Sequence, residues 1–359
     1  MQRLSMPLFW MLIAIATTCT PALATDFYVS PFGSDRNSGT SSDSPLQTIQ
    51  VAIDQAKPGD RINLGDGTYL QDFVSRTDGT KSQTITITGS ADAIVKGGGK
   101  GRVIEINHSH IVLNGFTVDG LSGNDNSADS YSDKLIYVHG DKQSGVEAVK
   151  ITNMHLMNAG GECIRFRSLT SNSEIAFNTI ENCGVYAFKL KSKKGKNGEG
   201  VYGGTAPEQL GDGKNPNTDI DRSNNNWIHH NDINTQGNEC VDLKEGASFN
   251  LVENNSCTGQ LDPNSAGLDS RGNNNIFRYN EVFGNRGAGV RLGGDTPSDG
   301  SKNQVYGNNI YNNAGGGIKI QAENQQQICG NTMNNNLKGD SVGSFGSRFS
   351  PTSKCVFYK

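Results

Sequence analysis

Apolar residues along this chain fall in short alternating runs separated by Gly, Asn and Asp, and from residue 226 onward the runs repeat. NWIHHNDINTQGNECVDLKEG, NLVENNSCTGQLDPNSAGLDSRG and NIFRYNEVFGNRGAGVRLGG are three copies of one pattern, and NQVYGNNIYNNAGGGIKIQ is a fourth. Asn231, Asn255, Asn280 and Asn308 hold one column, spaced by 24, 25 and 28 residues, with Asn331 another 23 on. A period of that length with strand-like alternation predicts an all-β chain folded as a single-stranded right-handed parallel β-helix. Asn tolerates left-handed turns and bonds to its own stack, so the Asn column reads as scaffold.

In a parallel sheet, equivalent residues of successive coils lie about 4.8 Å apart, so a column of the repeat becomes a ladder. Residues i and i+2 share a face. One outward column is predicted to run Asp242, Asp269, Arg291, Lys319, and its i+2 neighbour Lys244, Arg271, Gly293, Gln321. LIYVHG continues it upward with Tyr137 and His139, and ECIRFR with Arg165 and Arg167, which places His139 two coils above Lys244. Asn178 and Asn231 are 53 residues apart, so one coil carries a long polar insertion. Either YAFKLK or GEGVYGG could supply its strand. We favour residues 200–204, with Tyr202 outward, and read 189–196, bearing Lys189, Lys191, Lys193, Lys194 and Lys196, as a loop beside the charged face.

The ends read as covers. Ser44, Pro45 and Gln47 form a capping-box start, and Leu46, Ile49, Ile53 and Ala56 share one helical face before Pro58 and Gly59 stop it. This predicts a short helix that closes the first coil, whose edge and core would otherwise be bare. The expected organisation is one domain over residues 25–359: an N-terminal cap at 25–60, coils at 61–335 with the insertion around 189–222, and a C-terminal cap at 336–359.

Composition agrees with a solenoid: 45 Gly and 34% hydrophobic residues leave few side chains to bury per coil. A net charge of −4 argues against nucleic acid as a partner. Arg3, the apolar run PLFWMLIAIATTC and Ala22-Leu23-Ala24 read as a secretory signal cleaved near Ala24. That run is too short to span a bilayer comfortably, so an exported, soluble monomer is expected. Cys163, Cys183, Cys240, Cys257, Cys329 and Cys355 then meet an oxidising compartment; of fifteen pairings, Cys329 with Cys355 is favoured because it pins the tail to the last coil. No CxxC or HxxxH spacing points to zinc.

The opening block YVSPFGSD…GTSSDSPLQTIQVAIDQAKPGDRINLGDGTY resembles the start of secreted β-helix polysaccharide lyases. ECVDLKEG…AGLDSRGNN…GAGVRLGG is similar to the active-site coils of the alginate lyase and chondroitinase B family, polysaccharide lyase family six. That resemblance implies Lys244 as the base, Arg271 as its partner and Glu239 as a calcium ligand; Gly272 and Gly237 stand where the family has His and a second Glu. GVRLGG also resembles the catalytic strand of family nine pectate lyases, with Arg291 at the Lys position and Asp242 and Asp269 as calcium ligands. Family six ranks ahead, because a guanidinium hardly deprotonates.

Eliminative cleavage of a uronate polymer needs a counter-charge for the carboxylate, a base for the acidic C–H and a donor for the leaving oxygen. To act near neutrality, a lysine must fall by roughly three units from about 10.4, and Arg271 one rung away would push it down. Asp242 and Asp269 oppose that, so calcium held by Glu239, Asp242 and Asp269 is expected to neutralise them. Arg291, Lys319, Arg165, Arg167, His139 and Tyr202 are the expected contacts to an acidic polysaccharide. Three other readings stay open: a non-catalytic carbohydrate-binding or surface protein, in which alternating charges merely brace the solvent face, a C5-epimerase, and a glycoside hydrolase.

Overall fold

A computed structural model describes residues 24–141, 144–193 and 197–356. The expected signal segment up to residue 23, Lys194 and Lys196 lie outside the described residues. Strands of two to six residues stack into three long parallel sheets of 11, 10 and 10 strands, each pairing with the next coil. The right-handed parallel β-helix expected from the period is the fold. Within each coil a short run is a strand because every second side chain meets the interior, as in Ile228, Ile233 and Val241, all buried.

The sheet that carries the charged columns contains β1 (Phe73–Val74), β2 (Arg102–Ile106), β3 (Lys134–His139), β4 (Ile164–Arg167), β5 (Val201–Gly203), β6 (Val241–Leu243), β7 (Ala266–Ser270), β8 (Ala288–Leu292), β9 (Ile318–Ile320) and β10 (Ser341–Val342). The coil with the insertion therefore takes its strand from GEGVYGG, as favoured. Residues 204–226 leave β5 as a long excursion containing the 3-10 turn Pro207–Gln209 and return at Trp227–His229.

The Asn column is a continuous hydrogen-bonded ladder. The side-chain amide of Asn178 donates to Asn231 at 2.8 Å, and the chain of donations passes through Asn255, Asn280 and Asn308 to Asn331 at 2.9 Å. Each amide also donates to a backbone carbonyl of a neighbouring turn, as Asn231 does to Ile175 O at 2.9 Å. Buried amides are thereby satisfied at the corners, where backbone groups would otherwise be orphaned. Comparable rungs join Asn250 to Asn275 and Asn285 to Asn313 at two further corners.

The N-terminal helix is present but begins later than the capping box implies. Helix α1 spans Ile49–Gln55, with Thr48 at its N-cap and no side-chain cap bond from it. Asp35 captures the Gln47 and Thr48 amides at 2.9 and 2.8 Å, and Gln71 takes the Ile49 amide at 2.8 Å. Tertiary partners thus replace the local Ser44–Gln47 device, and Leu46 instead bridges in parallel to Val29. Cys329 and Cys355 are bonded as expected, and Cys163–Cys183 and Cys240–Cys257 complete the set. His229 ends its strand stacked on Trp227, and His230 occupies a left-handed turn, so the pair serves the scaffold. Among the described residues no helix is long and apolar enough to cross a membrane.

Candidate functional site

Strand register builds the site. Arg165, Tyr202, Asp242, Asp269, Arg291 and Lys319 pair in that order from β4 to β9, which is the outward ladder the repeat predicts. Two residues on, Lys244 and Arg271 extend β6 and β7 along the same wall. His139 pairs with Arg167, which puts it three rungs above Lys244, not two, because the Gly204 rung intervenes.

Lys244 is nearly buried, its side chain 10% exposed, and donates to Asp242 Oδ2 at 2.7 Å. Its ammonium lies 4.6 Å from the centre of the Tyr202 ring, whose other neighbour is the Arg165 guanidinium at 3.5 Å. Arg271 is more open and fans across three carboxylates: Glu245 at 3.2 Å, Asp295 at 3.1 Å and Asp269 at 3.9 Å. Arg291 holds Asp269 Oδ2 at 2.8 Å, and Lys319 donates to the Asn264 carbonyl at 2.8 Å.

Behind this ladder stands a row of carboxylates that the sequence reading only partly found. Glu162, Glu199 and Glu239 each precede the outward residue of their strand by three positions and are all buried. Ligand atoms of Glu199, Glu239 and Asp242 all lie within 4.8 Å of one another. Asp269, expected with them, sits on the adjoining rung in the grip of Arg291. Asp242 Oδ1 and Asp269 Oδ1 are buried without a hydrogen-bond partner, a costly state for a carboxylate.

The electrostatics follow from that crowding. Burial, then repulsion from Glu162 and Asp242, pushes the Glu199 carboxyl up to about 7. Burial pushes Asp269 up to about 6 even beside Arg291, and burial with Asp242 and Glu199 raises Glu239 well above the usual range. Lys244 moves opposite to expectation. Burial disfavours its charge and Arg271 opposes it too, but Asp242 and Tyr202 outweigh both and hold the ammonium protonated. The Tyr202 hydroxyl, pushed up to about 12 mainly by burial, keeps its proton.

Three expected substrate contacts are placed differently. Arg165 and Arg167 are almost wholly buried, because the excursion after β5 folds over them. Gln209 accepts from Arg165 at 3.1 Å, and Asp212 and Asn215 accept from Arg167 at 2.5 Å each. His139 is taken by Glu105 at 2.7 Å. Lys189 reaches the Tyr131 hydroxyl at 3.4 Å and Asp125 at 3.8 Å, so the wall on the charged columns comes from residues 205–215.

Calcium is the group the resemblance implies, and the donor set fits it: three clustered carboxylates, one with an orphaned oxygen, of which Glu199 and Glu239 have proton affinities raised by burial and then by their acidic neighbours. Glu199, absent from the expected ligands, was detectable. Glu-x-x-Arg at 162, Glu-x-x-Tyr at 199 and Glu-x-x-Asp at 239 form a column once the strand after the insertion is identified.

No family model matches the chain. A 71-residue segment is 48% identical to Pectate lyase PEL9 of Emericella nidulans, over 20% of this chain and 15% of that protein. A 169-residue segment is 27% identical to the uncharacterized protein YwoF of Bacillus subtilis, over 43% of this chain and 35% of that one. The chain thus matches only a minor part of either relative's length. Among solved structures, an alginate lyase from Paenibacillus sp. str. FPU-7 superposes with a TM-score of 0.62 at 21% identity, over 82% of this chain and 96% of that chain. The GH136 lacto-N-biosidase of Eubacterium ramulus gives 0.59 at 12% identity, over 88% and 67%. Pectate lyase Pel9A gives 0.58 at 15%, over 93% and 82%. In its fold, this chain is similar to solved parallel β-helix alginate and pectate lyases.

Proposed function

We propose that this chain is an exported polysaccharide lyase that cleaves an acidic, uronate-containing glycan by β-elimination. The observation that carries the reading is one constellation: the Lys244 ammonium, the Tyr202 phenol and the Arg271 guanidinium beside an acid cluster with orphaned oxygens. Lys244 Nζ, once unprotonated, takes the proton from the carbon bearing the sugar carboxylate. That C–H electron pair becomes the new carbon–carbon double bond, the bond to the glycosidic oxygen breaks, and Tyr202 donates its proton to the leaving oxygen. Arg271 offsets the carboxylate charge that grows as the C–H bond weakens.

Calcium, when bound by Glu199, Glu239 and Asp242, supplies positive charge that offsets these carboxylates. Asp242 is the group that holds Lys244 charged, so any neutralisation of Asp242 lowers the proton affinity of the lysine. The segment shared with a protein named as a pectate lyase supports the substrate class. Three disulfides support export, since such bonds persist in oxidising compartments.

Alginate, polygalacturonate and chondroitin, each with and without calcium, test this through the ultraviolet absorbance of the unsaturated product. Wild type is expected to form it from one of them. Lys244→Ala is expected to lose about 10²- to 10⁴-fold in rate with an unchanged circular dichroism spectrum. Undiminished product from that variant removes Lys244 as the base. Binding by wild type without product favours a carbohydrate-binding protein, the reading that the tight Lys244–Asp242 pair also supports.

A further inference from the structure

The charged columns are not equally accessible along the solenoid. Side-chain exposure is 2% at Arg165 and 4% at Arg167, 10% at Lys244 and 22% at Arg271. Farther along, Lys319 and Lys338 line a cavity of about 230 Å³. The groove is therefore more open on the side of the C-terminal coils and is covered at the arginines two rungs before Lys244, where Arg165 and Arg167 line a separate cavity of about 150 Å³ with Gln209 and Asp212.

What closes it is the excursion after β5. The 3-10 turn Pro207–Gln209 brings the Gln209 side chain onto Arg165, and the Gln209 carbonyl accepts from Arg167 at 3.1 Å. Asn215 accepts from both Arg167 and the Ser168 hydroxyl, the latter at 2.9 Å. Both ends of this roof are anchored through one carboxylate. Asp221 takes the Ser168 and Leu169 amides at 2.8 Å each and the Thr205 hydroxyl at 2.6 Å. Arg167 spends its guanidinium donors on the roof and Arg165, otherwise held by Glu162, gives Gln209 one more, so lifting the roof would leave Arg167 unpaired in a low-dielectric site.

We propose that the groove is blind at this end and that the protein engages its glycan at a chain terminus, releasing one or two sugar units per cleavage. The inference rests on the lyase reading for the chemistry and on the roof for the geometry. Only the Tyr202 and Gly204 rung separates Lys244 from the roofed arginines. Two strand spacings of about 4.8 Å each give roughly 10 Å, room for about two pyranoses of an extended chain, whereas an interior segment of a long polymer would have to pass through the Gln209, Asp212 and Asn215 contacts. The remaining chain lies toward Arg291, Lys319 and Lys338, whose positive charges suit successive uronate carboxylates.

The test uses the full chain. Lys244→Ala protein is titrated calorimetrically with alginate and polygalacturonate, as short defined oligomers and as full-length polymer, and the number of proteins bound per glycan chain is read. A blind groove holds that ratio at one for every length. A ratio that climbs with chain length overturns the proposal. In parallel, wild-type digests are sized from the first turnovers. One small product with slowly falling viscosity is expected, and an early ladder of long oligomers with collapsing viscosity also overturns it. One protein per chain without any unsaturated product sinks the lyase reading and leaves the blind groove standing. Absence of binding to every glycan removes both.

Discussion

Glu162 and Glu239 occupy matching places, each three residues before the outward member of its strand and each buried, yet they behave in opposite ways. Around Glu162, Lys134 and Arg165 both approach to 3.0 Å. Burial resists its charge, but these two cations outweigh it and hold the carboxyl down near 2. Around Glu239 the nearest charged groups are Asp242, Glu199 and Asp269, and its carboxyl rises. One coil position thus serves two ends. Where the buried acid is matched by cations it locks the scaffold, and where acids face acids the coil keeps an unspent affinity for positive charge. Perturbation of that second kind in a cleft is what marks a candidate site.

That contrast can be broken experimentally. The largest effect is expected from Glu162→Ala, which leaves the buried Arg165 without its carboxylate and Lys134 with Asp133 alone: a loss of about 3–5 kcal/mol, read from the urea midpoint. The matching Glu239→Gln change relieves repulsion, so metal-free stability should hold or rise; a loss as large as that at Glu162 would erase the distinction. Calcium at a hundred times its dissociation constant should stabilise the wild type by about 2.7 kcal/mol. Glu199→Gln combined with Glu239→Gln should abolish that gain, as monitored by thermal unfolding with and without the ion.

A smaller effect is expected from pH. Glu199 and Asp269, raised to about 7 and about 6 in the fold, bind protons there that the unfolded chain, titrating near about 4, does not. Metal-free protein should therefore become more stable as pH falls from about 7 toward about 4. The Glu162 contribution runs the other way, present above the ordinary carboxylate range and lost as pH drops toward 2. Urea titrations across that range check both signs, and saturating calcium should remove the upward trend because the ion competes with protons. Least of all should follow from Lys150→Ala at the exposed Lys150–Glu174 pair, under about 1 kcal/mol.

Reading the chain linearly succeeded where the coil itself carries the information. The Asn column, the Asp242-to-Lys319 ladder and the strand at GEGVYGG all follow from one period, because in-register parallel stacking turns a fixed spacing into direct contact, and the Cys329–Cys355 bond follows from the need to pin the tail to the last coil. It failed where contacts come from outside the period. The start of α1 is set by Asp35 and Gln71 rather than by Ser44. Arg165 and Arg167 belong to the ladder as expected but lie beneath an aperiodic excursion that no repeat could place.

Spacing, alternation and turn residues were enough to specify a parallel solenoid and to line up one column of charge upon it, since both depend only on counting residues per coil. The depth of that column, the roof over one end, the convergence of Glu199, Glu239 and Asp242 and the protonation of Lys244 came from tertiary structure alone. Each of these depends on what surrounds a charge in space: solvent, a folded-back loop, or a carboxylate from the adjacent coil. Dielectric environment and long-range neighbours have no signature in the order of residues.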